Sequence, residues 1–195
     1  VSPTPFADLL ISILRQAKVK NELKIPILWN SNGYEKVETI RKLAGLVDIY
    51  LPDLKYFSNK LSQKFSGPED YFEYASLAIV EMRNQIPEDL FNGDGIMKKG
   101  LIIRHLVLPG QVEDSKQVLK WLRDNLGKMT RVSVMAQYYP TYRASDFPPL
   151  DRRLTYDEYQ EVCDYFLELD FEEGFVQELS SAESFYTPDF KLEGV

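Results

Sequence analysis

Apolar and polar positions alternate in two rhythms along the chain, and the rhythms take turns from one end to the other. Phe6, Leu9, Leu10, Ile13, Leu14 and Ala17 recur at helical spacing. Thr4 followed by Pro5 predicts the start of that helix, a capping hydroxyl and then proline at the first helical position. Ile25 to Trp29 predicts a strand closed by the polar turn Asn30-Ser31-Asn32-Gly33. A short helix through Val37, Ile40 and Leu43 stops at Gly45, and a second strand follows near 47–51. Beyond Lys55 a loop or short helix runs to Gly67-Pro68, and an amphipathic helix spans Glu69 to Ile86, stopped by Pro87. Residues 88–99, holding Asn92-Gly93-Asp94-Gly95, predict an exposed hairpin-like loop.

The second half repeats the rhythm. Leu101 to Leu108 is a predicted strand broken by Pro109-Gly110, and Asp114 or Ser115 is expected to cap a helix ending at Gly127. Val132 to Met135 is a further strand, followed by an irregular stretch from Gln137 to Asp151. Thr155 and Glu158 form a capping box opening a helix with Tyr159, Val162, Cys163 and Phe166 inward. Phe175-Val176 is a last short strand. Strand–helix alternation calls for parallel strands with crossover helices. The expected fold is α/β: a partial, open parallel β/α barrel over residues 1–179, missing its first strand, with a C-terminal tail over 180–195. A doubly wound sheet is the alternative.

At 195 residues the chain suits one domain. A net charge of −7 with no basic stretch excludes nucleic acid as the principal partner. No apolar run reaches the roughly 20 residues of a membrane span, and no signal peptide opens the chain, so a cytoplasmic location is the default. The single cysteine, Cys163, cannot alone build a zinc or iron–sulfur site, and its place on a helix's apolar face assigns it to packing.

In a parallel sheet all strand C-termini share one rim. Asp53 and Lys55, at i and i+2, point the same way from a strand tip. Asn30, Ser31, Arg104, His105, Gln137 and Tyr139 share that rim, as do Ser2 and Thr4. One carboxylate among neutral and cationic groups suits a small ligand with a carboxylate and hydroxyls better than a divalent metal. Burying Arg104 costs several kcal/mol unless an anion or fixed acceptors meet it, and Asp53 is a candidate structural partner. His105, between apolar neighbours, reads as a satisfied structural histidine, with a catalytic histidine as the alternative.

Asn30-Ser31-Asn32-Gly33, Asp53-Leu54-Lys55, Arg104 through Gly110, and Met135-Ala136-Gln137-Tyr138-Tyr139-Pro140 together resemble a family. They are similar to the pyruvate formate-lyase activating enzyme-related branch of radical S-adenosylmethionine (SAM) proteins. The resemblance implies a partial barrel holding SAM and a [4Fe–4S] cluster on its rim. It gives Asp53 and Lys55 the methionyl end of SAM, and it sets a monovalent cation at Asn30, Ser31 and Asp53. Arg104 and Leu106 would border SAM, Tyr139 would meet its ribose, and Thr4 lies where the family receives the SAM amino group. The implied activity is hydrogen abstraction by a deoxyadenosyl radical, with a protein such as a glycyl radical enzyme as partner.

The family's Cys-x3-Cys-x2-Cys triad is absent. Two explanations stand: the triad lies upstream of Val1, which the abrupt opening favours, or the chain is a cluster-less relative. Either way this chain alone is expected to be inactive. Two other functions compete. One is a β/α-barrel lyase with Lys55 as Schiff-base amine and Asp53 as its partner. The other is a non-catalytic interaction domain docking through the acidic surface and Phe185, Tyr186 and Phe190.

Overall fold

Residues 2–20 and 23–178 are described by a computed structural model. Short β-branched and aromatic runs supply the strands: β1 (Leu28–Ser31), β2 (Ile49–Pro52), β4 (Met97–Leu106), β5 (Arg131–Met135) and β6 (Gly174–Val176). They are parallel and lie in the order β1-β2-β4-β5-β6. A two-residue strand, β3 (Leu90–Phe91), pairs antiparallel with β4 and makes the expected hairpin around Asn92–Gly95. A strand order that follows the sequence has no switch point, which excludes the doubly wound alternative and leaves the open parallel sheet.

The helices are α1 (Ala7–Val19), α2 (Val37–Lys42), α3 (Asn59–Ser66), α4 (Tyr71–Gln85), α5 (Val112–Leu126) and α6 (Tyr156–Glu168). α2 packs on α4, α4 on α5 and α5 on α6, so the helices form one layer against one face of the sheet. Tyr50, Leu101, Ile103, Val132 and Val134 point into that layer and are at most 1% exposed. Each such side chain contributes about 1.5–3 kcal/mol by leaving water. Residues of opposite parity face away, and Leu28 and Phe175 there are half exposed. Gln85 knits the layers, donating to the Ile40 carbonyl at 2.9 Å and accepting from the Tyr50 hydroxyl at 2.7 Å.

Several local expectations are corrected. Thr4 does not cap α1: residues Thr4–Phe6 form a 3-10 turn, and the Thr4 hydroxyl instead donates to Glu35. β1 starts three residues later and ends two residues later than its apolar composition suggested, because backbone pairing with β2 extends through Ser31. Asn30 and Ser31 are therefore strand residues rather than turn residues. Neither Asp114 nor Ser115 caps α5; the Asp114 carboxylate accepts the backbone N–H groups of Phe57 and Ser58 at 3.0 and 2.7 Å. The capping box at Thr155 and Glu158 is present as expected. Residues 180–195, including Phe185, Tyr186 and Phe190, lie outside the described residues, as does the boundary after 179.

Gly33 turns the chain back from the tip of β1 with φ +79°, and a Cβ there would lie 2.0 Å from the Asp53 carbonyl oxygen. Gly45 also has positive φ, +70°, but a Cβ would meet nothing within 4 Å. Gly45→Ala should therefore cost only the left-handed penalty, about 1–2 kcal/mol. Gly33→Ala should add the displacement of the Asp53 backbone and cost about 3–4 kcal/mol. Urea unfolding of the two variants measures the difference, and equal losses would show that the two chain segments do not touch.

Candidate functional site

The rim is built from the tips of three adjacent parallel strands. Asp53, just past β2, bridges in register with Arg104 of β4, and its N–H donates to the Ser31 carbonyl of β1 at 3.0 Å. Side chains of one parity on these strands thus emerge together. The Lys55 ammonium lies 3.0 Å from Asp53 Oδ2, and Arg104 Nη2 lies 2.6 Å from Asp53 Oδ1 and donates to Asn30 Oδ1 at 2.7 Å. The side chains of Asp53, Arg104 and Lys55 are 14%, 26% and 38% exposed, so the charge grades outward towards Lys55. The Arg104–Asp53 approach is close but not aligned as a hydrogen bond. Asp53 Oδ1 and Arg104 Nε, both buried, therefore have no hydrogen-bond partner among the described residues.

The segment carrying Lys55 is pinned from three elements. His105, one position along β4 and on the opposite face, holds the Leu54 carbonyl through Nδ1 at 2.7 Å. Because the partner is a carbonyl, Nδ1 carries the proton and Nε2 is a bare acceptor. The Tyr71 hydroxyl of α4 accepts the Lys55 N–H at 3.0 Å and lies 2.9 and 3.1 Å from the Asn32 and Asp53 carbonyls. Burial pushes the Tyr71 phenol up, so it stays a neutral donor. Asp114 closes the segment at Phe57 and Ser58; burial raises its carboxyl, against the lowering effect of those two hydrogen bonds.

Of the residues singled out in the sequence, Asn30, Asp53, Lys55 and Arg104 form one connected group. Leu106 and Tyr139 line an adjacent cleft of about 700 Å³ that Lys55 also borders. Ser31 and Thr4 lie elsewhere. Ser31 is 1% exposed on the helix-covered face and donates to Glu35 Oε2 at 2.6 Å. Thr4 donates to Glu35 Oε1 at 3.3 Å, and the Trp29 indole N–H reaches the same oxygen at 3.0 Å. Within the trio Asn30, Ser31 and Asp53, the Ser31 hydroxyl is thus turned away from the other two side chains. Glu35, Tyr71 and Asp114 escaped sequence reasoning. The one available signal was Ser31, a polar residue sharing an inward face with Trp29 and so requiring a buried acceptor.

Among the described residues no three His, Cys, Asp or Glu side chains are placed to hold a metal. Cys163 is buried on α6, where burial pushes its thiol up. No helix among the described residues is long and apolar enough to cross a membrane.

No protein-family model matches the chain. An uncharacterized protein of Methanocaldococcus jannaschii is 33% identical over 163 residues, covering 83% of this chain and 43% of that protein. The chain therefore spans less than half the length of that relative. A crystal structure of a domain of pyruvate-formate lyase-activating enzyme from Bacteroides vulgatus superposes with a TM-score of 0.60 at 13% identity, covering 91% of this chain and 95% of that one. The chain shares the fold of that domain.

Complete burial lowers the His105 imidazole to about 4. The unfolded chain takes up a proton near 6.5 that the folded chain refuses, so stability is complete above 6.5 and falls as the pH drops towards 4. Between pH 7.5 and 5.5, still above the pI near 4.9, this residue should remove roughly 1 kcal/mol. His105→Asn, whose amide can replace Nδ1, should flatten that slope in urea unfolding; an unchanged slope would assign the pH dependence to other groups.

Proposed function

We propose that this chain is the SAM-binding part of a radical-SAM activating-enzyme-like protein. The observation that carries the reading is the Asp53 carboxylate held between Lys55 and Arg104 at the tips of parallel strands, with Asp53 Oδ1 and Arg104 Nε lacking hydrogen-bond partners. The methionyl end of SAM is a zwitterion. Its carboxylate suits the two cations, and its ammonium suits the Asp53 carboxylate and the Asn30 amide oxygen. Leu106 and Tyr139 then stand beside the nucleoside portion. The fold shared with the activating-enzyme domain supports the same reading, as does the order of motifs along the chain.

SAM supplies a sulfonium whose carbon–sulfur bond yields a deoxyadenosyl radical when an electron is delivered to it. A [4Fe–4S] cluster does not fit the residues described, because thiolates must ligate it and the one cysteine is buried in helix packing. The assignment to this chain therefore ends at binding and orienting SAM. Hydrogen abstraction, and a protein substrate such as a glycyl radical enzyme, belong to the proposed parent protein. The Schiff-base alternative would need Lys55 free as the nucleophile, and its Nζ is engaged with Asp53 Oδ2 at 3.0 Å.

Lys55→Ala should weaken SAM binding by roughly ten- to a hundred-fold, the worth of one charge-assisted contact. Calorimetric titration of the chain measures it. Unchanged affinity would remove Lys55 from the site, and borohydride trapping of a carbonyl substrate on Lys55 would favour the lyase.

A further inference from the structure

The cleft beside the ion group has walls whose chemistry the SAM reading does not use. Tyr34, Tyr71, Tyr56, Phe65 and Phe147 run along it as a chain of touching rings, with successive centroids 6.0, 5.6, 6.4 and 6.1 Å apart. Their polar ends are already engaged: the Tyr34 hydroxyl donates to Asp70 at 2.6 Å, Tyr56 pairs with Ser66 at 2.8 Å, and Tyr71 holds the rim backbone. Tyr71 and Tyr56 are buried, at 3% and 6% exposed, so the ring surface open to a ligand comes from Tyr34, Phe65 and Phe147.

The charge at the cleft is as selective. Among the described residues no Asp or Glu lines this cavity directly, although Asp146 at its edge pairs with Arg143, and Lys55, Lys64 and Arg143 do line it. The Lys64 ammonium stands 5.2 Å from the Phe65 ring centre and the Arg143 guanidinium 5.9 Å from that of Phe147. Arg143 gives its Nε to Asp146 at 2.8 Å, which fixes its plane and leaves its terminal nitrogens without a hydrogen bond among the described residues. Two cations thus stand by the rings of Phe65 and Phe147 in the wall of the cleft.

We propose that this part of the cleft, formed by residues 64–68 and 141–147, binds a flat organic carboxylate, its ring system stacked on the aromatic wall and its carboxylate met by Lys64 and Arg143. The volume of about 700 Å³ is that of a small-molecule site. A neutral ligand would gain nothing from the cations, and a saturated one would stack poorly on the rings. The proposal concerns residues that the SAM reading leaves aside, and it stands or falls separately.

Calorimetry with 2-naphthoate, its uncharged analogue 2-naphthamide and its saturated analogue decahydro-2-naphthoate tests it. We expect 2-naphthoate to bind at least tenfold more tightly than either analogue. The Lys64→Gln/Arg143→Gln double variant, altered only at exposed side chains, should reduce the acid to the affinity of the amide while leaving SAM affinity unchanged. Equal affinity for acid and amide, indifference to the double variant, or no binding of 2-naphthoate would overturn the proposal. A chain that fails to bind SAM yet shows the naphthoate pattern would refute the SAM reading alone. The converse pattern would refute this inference alone.

Discussion

One carboxylate set between two cations organises the upper edge of this protein. Asp53 cannot satisfy Lys55 and Arg104 together, so the tips of β2 and β4 carry one positive charge too many in a partly desolvated place. In water such an excess costs little, and partial desolvation raises its cost. The parallel register makes the arrangement possible, since Asp53 faces Arg104 directly and Asn30 reaches the same guanidinium from the next strand.

The scaffold beneath is made of contacts that fix backbone rather than side chains. His105, Tyr71 and Asp114 come from a strand and two helices, and each grips a peptide group between Leu54 and Ser58. Lys55 is the flexible tip of a rigid mount. A comparable mount holds β1, where Glu35 collects hydrogen bonds from Trp29, Ser31 and Thr4 without a cation among them. Three neutral donors satisfy the polar atoms of this buried side chain.

The parts legible in the sequence were those governed by period. The two-residue repeat put Asp53 with Lys55 and set Arg104 and Leu106 opposite His105 and Val107, and the strand–helix alternation gave the parallel sheet. What escaped was governed by single long-range hydrogen bonds. Tyr71 read as one more apolar position of α4, because nothing local shows that its hydroxyl is buried under two carbonyls. Asp114 and Thr4 sat where capping residues belong, and distant groups claimed their oxygens instead. β1 was misplaced because Asn30 and Ser31 have turn-like composition, while pairing with β2 and the acceptor at Glu35 decided their conformation. The aromatic cleft gathers residues from both halves of the chain, and no local window contains it.

The Tyr71 hydroxyl has a mechanical consequence. A single oxygen at the first residue of α4 touches the two successive peptide groups that lead into Lys55, and the far end of that helix is fastened through Gln85 to α2 and β2. The Lys55 backbone and the fifteen-residue α4 are thus joined through one hydroxyl. By reciprocity of linked equilibria, any free energy that couples Lys55 to the outer surface of α4 acts equally in both directions.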